Sequence, residues 1–144
     1  MGKKFAHDFL LLLTGGIVYF YFEIFVRGFS HISMFILGGV CFLLVGKAGN
    51  HVLKNDNDVM IRILKIMLIS GILITVLELI TGYIVNVYFK LAVWDYSNMI
   101  LNFEGQICLL YSVLWAILGL PCVYFYGIIE KFILQDRIDV NECI

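Results

Sequence analysis

Residues 66–89, IMLISGILITVLELITGYIVNVYF, decide how the chain must fold. The stretch is apolar almost throughout and long enough to cross a bilayer, since roughly 20 helical residues span the hydrocarbon core. Glu78 stands in its middle. A carboxylate at that depth costs on the order of 2.5–3.5 kcal/mol on insertion scales, so Glu78 is expected to face protein or water rather than lipid. Helical spacing puts Gly71, Thr75, Glu78, Gly82 and Asn86 on one stripe. Small residues there permit close helix approach, and the hydroxyl and amide can hydrogen-bond across helices. Two readings stay open: a packing seam in which Glu78 is protonated or paired, or a site for an ion, a proton or a polar substrate group.

Working outward, 62% of the residues are hydrophobic and the mean hydropathy is +0.97. A soluble domain of 144 residues cannot bury that much apolar surface. The expected fold is an all-α integral membrane protein, a single membrane domain over 1–144 with four transmembrane helices at about 9–25, 29–46, 62–89 and 106–130. The first apolar stretch lacks the small-residue cleavage pattern of a signal peptide and runs on through aromatic residues and Glu23 into Arg27.

Orientation follows from Lys and Arg in the connections. Lys3, Lys4, Lys47, Lys54, Arg62, Lys65, Lys131 and Arg137 fall on one side, and only Arg27 and Lys90 on the other. Both termini and the 47–65 connection are therefore expected in the cytoplasm. The net charge of −1 offers no basic footprint for nucleic acid. Cys41, Cys108, Cys122 and Cys143 form no CxxC pair, and His7, His31 and His51 are scattered. Free thiols acting as small hydrophobes are expected, with neither metal nor cofactor.

Glu23 and Arg27 have the spacing of an intrahelical ion pair, with Gly16 and Tyr19 on the same face. Near a helix end, an interfacial anchor is their plainest role. Gly105, Ser112, Gly119 and Tyr126 recur every seven residues as a packing face of helix four, and Pro121 is expected to kink it. Between helices three and four, residues 91–110, LAVWDYSNMILNFEGQICLL, are too apolar for an ordinary exposed loop. Trp94 and Tyr96 suit the membrane interface, while Asp95, Ser97, Asn98 and Asn102 suit tight turns. An interfacial or re-entrant element covering the outer mouth of the bundle would explain the mixture.

LELITGYIVN (77–86), VWDYSN (93–98) and NFEGQICLLYSVLW (102–115) together resemble the bacterial putative ABC-transporter type IV family, the CmpB-like putative ABC transporter permeases, in its short form. RGFSHISMFILGGVCFLLVG (27–46) fits that family's second helix. The resemblance implies a multi-pass protein of the bacterial cytoplasmic (inner) membrane. It assigns Glu78, Thr81 and Gly82 to the acid-containing motif, Trp94, Asp95, Tyr96, Ser97 and Asn98 to the central one, and Asn102, Gly105 and Gln106 to the last. Met99, Ile100 and Leu101 stand where the family commonly has a proline, and Glu104 where it is usually uncharged.

The substrate- or ion-binding candidates are Glu78, Thr81, Asn86, Trp94, Asp95, Tyr96, Asn98 and Asn102, with Glu23 and Arg27 as an ion pair. A small transport component or pore-forming subunit is the first reading. With no G-x-x-x-x-G-K-[ST] loop, it would need an ATPase or another membrane subunit, or further copies of itself. The alternative is a non-transporting accessory module that binds lipid or peptide. An intramembrane enzyme lacks a nucleophile elbow, HExxH or metal cluster to support it. Self-association is expected through the glycine faces at Gly38, Gly39 and Gly46 or at Gly71 and Gly82.

Overall fold

A backbone in lipid finds no water to bond, so each apolar run must close its hydrogen bonds within a helix. The computed structural model describes residues 2–142, with side chains over 4–132. It contains α1 (Gly2–Arg27), α2 (Ile32–Asn55), α3 (Val59–Gly82) and α4 (Leu109–Glu142). These four helices are long and apolar enough to cross a membrane. A π-helical turn, Tyr83–Tyr88, continues α3. The only strands among the described residues are β1 (Asn102–Phe103) and β2 (Ile107–Cys108), an antiparallel pair in which Asn102 faces Cys108. Cys143 and the side chains of Lys3 and Arg137 lie outside the described residues.

The four expected helices are present, but their ends differ. α2 starts at Ile32 because Gly28 turns the chain at φ +81° and the His31 ring caps the helix, accepting from the Ser33 amide. It then runs past 46 to Asn55, since Val45, Gly49 and Val52 keep one buried face and Lys47 pairs with Asp8 of α1 at 2.6 Å. The 47–65 connection thus shrinks to 56–58, where the Asp58 side chain caps α3 by accepting from the Ile61 amide. α4 starts at Leu109, because residues 107–108 belong to the hairpin, and it continues through Pro121.

α2 packs against every other helix, α3 lies along α4, and α1 touches α4 only sparsely. Two apolar clusters result. Met34, Leu37, Cys41, Val85, Val93 and Trp94 gather at the end carrying the long connection. Val45, Val52, Ile66 and Val123 gather toward the end carrying the termini.

The glycine faces expected to join separate copies are occupied within the chain. A Cβ on Gly38 would meet the Tyr19 side chain at 2.5 Å, and one on Gly39 the Leu12 carbonyl at 2.4 Å. Gly46 receives Tyr126, Gly71 faces Ala116, and Gly82 faces Gln106 and Trp94. Helix four uses three of the four residues of its expected face, with Ser112 meeting Thr75, Gly119 meeting Ser70 and Tyr126 filling the space over Gly46, whereas Gly105 lies outside α4, in the turn between β1 and β2. Small residues seat side chains from neighbouring helices of the same chain.

Candidate functional site

Glu78 leaves 2% of its surface exposed and points toward α4 and the long connection. The Tyr96 hydroxyl donates to its Oε1 at 2.9 Å, and the Trp115 indole N–H donates to its Oε2 at 2.9 Å. Each carboxylate oxygen is thereby satisfied, which offsets part of the cost of burying it. Burial pushes the Tyr96 hydroxyl well above the ordinary tyrosine range, and the neighbouring Glu78 charge adds to that. Tyr96 therefore remains a neutral donor.

Asn86 shapes the cover over this carboxylate. It sits in the π-helical turn, where its Oδ1 accepts from the Val93 amide at 2.7 Å and its amide donates to the Trp94 carbonyl and to Gln106 Oε1. The Trp94 indole in turn donates to the Gln106 carbonyl at 2.9 Å. Tyr96 is held by its backbone amide, which donates to the Gly105 carbonyl. Gly105 is at φ +69°, and a Cβ there would lie 2.5 Å from Ser97 Oγ. Only glycine fits that bend without strain. The expected covering element is present: Val93 and Trp94 are buried in the bundle, while Ile100 and Leu101 stand 86% and 71% exposed on its far side.

Glu23 and Arg27 pair at 2.6 Å, yet Glu23 is only 4% exposed. The anchor role expected at the interface gives way to a strut. Ser30 donates to the other Glu23 oxygen, and the second Arg27 nitrogen donates to the Val93 carbonyl at 2.8 Å. The pair thus ties α1 and the turn into α2 to the long connection.

The remaining candidates divide. Asp95 is exposed and accepts from the Ser97 amide and hydroxyl, bonds that hold its carboxyl below the usual carboxylate range. Asn102 donates to the Ser97 and Met99 carbonyls and accepts from Gly105, so it builds the turn rather than the pocket. Thr81 is half-buried and stands outside the Glu78 network, and Asn98 is exposed. Glu104 accepts from the Tyr83 hydroxyl on the surface of the bundle. Trp115, Gln106 and Ser30 complete the network without having been singled out as site residues. For Trp115 a signal existed: an indole at mid-membrane depth needs an acceptor, and Glu78 was the acid on offer.

Two cavities adjoin here. One of about 310 Å³ lies between α1 and α4, with Glu78, Tyr19 and Trp115 among mostly apolar walls. The other, of about 390 Å³, opens toward the long connection past Glu23, Arg27, Asp95 and Tyr96. Tyr19, Phe22, Met34 and Trp115 line both. The exposed Val18 and Phe22 of α1 and Phe125 of α4 are among the residues lining the first.

The model of the family described as Putative ABC-transporter type IV matches residues 11–141. The chain belongs to that family. No curated protein and no solved structure matches it. The segments that carry the family resemblance, 77–86, 93–98 and 102–115, are the ones that meet around Glu78 and Asn86. Family and architecture agree on a transport-related membrane component.

Proposed function

We propose that the chain is a small transport component that takes its substrate into the Glu78 cavity, working as an oligomer or beside partner subunits such as an ATPase. The observation that carries this reading is a buried carboxylate at the wall of a cavity that lies between α1 and α4, adjoins a second cavity toward the long connection and is closed toward the termini. The closure comes from Val45, Val52, Ile66 and Val123, with Tyr126 over Gly46 and Val123 over Gly49. A site parted by Tyr126 from a third cavity of about 370 Å³ at the terminal end suits a carrier that exposes its site alternately and disfavours a continuous pore through one chain. The charge split supports an orientation with both termini cytoplasmic in a bacterial inner membrane and the cavity open outward.

The test is solute flux into liposomes holding purified protein, read beside thermal stability, for wild type and Glu78→Gln. Glutamine keeps the shape of the side chain and its acceptor oxygen while removing the charge. Flux lost at near-native stability supports the reading. Unchanged flux in a stable variant, or no wild-type flux with any partner-reconstituted preparation, refutes it and leaves the accessory role.

A further inference from the structure

Glu78 accepts two hydrogen bonds, but among the described residues no Lys, Arg or His lies within ion-pair distance of it. The nearby Glu23 has what Glu78 lacks, a guanidinium. Arg27 is already committed to Glu23 and the Val93 carbonyl, and its guanidinium lies 4.8 Å from the centre of the Phe29 ring. With Asp95 at the mouth, acids outnumber bases around the two cavities.

The walls are aromatic. Tyr96 stacks on Tyr111 at 4.6 Å between ring centres, Tyr111 lies 6.1 Å from Trp115, and Trp115 lies 6.3 Å from Tyr19. Ring faces attract cations, most strongly where water is excluded. A hard metal ion would want six or more oxygen ligands, and no group of three His, Cys, Asp or Glu side chains comes together among the described residues.

We propose that the ligand of these two adjoining cavities is an amphipathic organic cation, its charge drawn to Glu78 in the first and its apolar body held by Tyr19 and Trp115, which line both, and by Tyr111 of the second. The inference rests on the Glu78 cavity being the substrate site and adds the substrate's chemical class. The ligand enters past Asp95 or from the lipid side between α1 and α4. A zwitterionic lipid headgroup fits less well, because its phosphate would face Glu23 and Asp95.

Tetraphenylphosphonium and tetraphenylborate share shape and apolar surface but differ in the sign of their charge. Both tryptophans of the chain, Trp94 and Trp115, line the second cavity, so their fluorescence reports occupancy. With purified full-length protein in an uncharged detergent, the phosphonium should bind at least ~10-fold more tightly than the borate. Glu78→Gln should lower phosphonium affinity by about 10-fold, and Tyr111→Leu by about 5-fold. Equal or tighter binding of the borate overturns the proposal. So does phosphonium affinity unchanged in both variants, which would mean an adventitious apolar contact. Should Glu78→Gln fail to fold, Tyr111→Leu and the borate comparison still decide. Phosphonium flux into liposomes in excess of that into protein-free liposomes, which both probes cross unaided, separates the two readings. Phosphonium binding without protein-dependent flux upholds the cation site and refutes transport, whereas protein-dependent flux with charge-blind binding refutes the cation site and upholds transport.

Discussion

Replacing Asn86 with Leu should unfasten the cover of the cavity while keeping the number and branching of the side-chain heavy atoms. Three hydrogen bonds disappear at once, to the Val93 amide at 2.7 Å, Gln106 Oε1 at 3.0 Å and the Trp94 carbonyl at 3.1 Å. At a net ~0.5–1.5 kcal/mol each, the loss is about 2–4 kcal/mol, with the upper end favoured because Val93 and Gln106 are buried and cannot turn to water. Thr75→Val is the matched control on the same helix. It deletes one bond, to Ser112 at 3.0 Å, and leaves Ser112 still donating to the Cys108 carbonyl, for a cost of about 1 kcal/mol or less. By melting in detergent, Asn86→Leu should lower Tm by roughly 5–15 °C and the control by a few degrees at most. It should also shift Trp94 fluorescence, since that indole leaves a 4% exposed setting. Equal Tm losses for the two variants, or an unmoved Trp94 signal in Asn86→Leu, would refute the assignment of Asn86 as the fastener.

Arg27→Lys should destabilise by about 1–3 kcal/mol, because one ammonium cannot serve both Glu23 and the Val93 carbonyl in the geometry of the guanidinium; chemical denaturation in detergent measures it. Gly105→Ala should open the hairpin, since φ +69° and a 2.5 Å approach to Ser97 both oppose a side chain. The readout is faster maleimide labelling of Cys108, which is 2% exposed in the native fold. On a cysteine-free background, a cysteine at position 98 should label from outside intact cells and one at position 55 should not; labelling at 55 reverses the orientation. Gly82→Ala would set a Cβ 2.6 Å from Gln106 Oε1, so a Tm loss of several degrees is expected, and no loss would show that α3 and the cover are not in close contact.

The helices were legible because lipid imposes one solution on an apolar run, and the stripe through Glu78 and Asn86 was legible because polar groups at that depth need partners. Helix ends were not. Hydropathy reports where hydrocarbon stops, whereas α2 continues to Asn55 on packing through Gly49 and Val52 against α4 and on the Lys47–Asp8 pair. The glycines of α2 were correctly read as contact points, but periodicity does not say whose side chain fills them. Glu23 was misjudged for a related reason: its depth along α1 was visible, but the chain returning over it, from Ser30 and Val93, was not. The resemblance assigns Thr81 and Asn98 to motifs, yet the folded chain sends neither into the Glu78 network.

The π-helical turn sets the rotational phase between the acid and its cover. From Tyr83 to Tyr88 the ring of atoms closed by each hydrogen bond holds one residue more than in α3, as in the bond from the Phe89 amide to the Ile84 carbonyl. Winding the same six residues as ordinary α-helix would rotate everything downstream by about 100°. Asn86 would then swing away from Gln106, and Tyr96 away from Glu78, with every side chain still present. The spacing between LELITG and WDYSN is therefore as much a property of the site as the residues themselves. A one-residue insertion in 83–88 that kept tryptophan fluorescence and stability native would show that this phase does not matter.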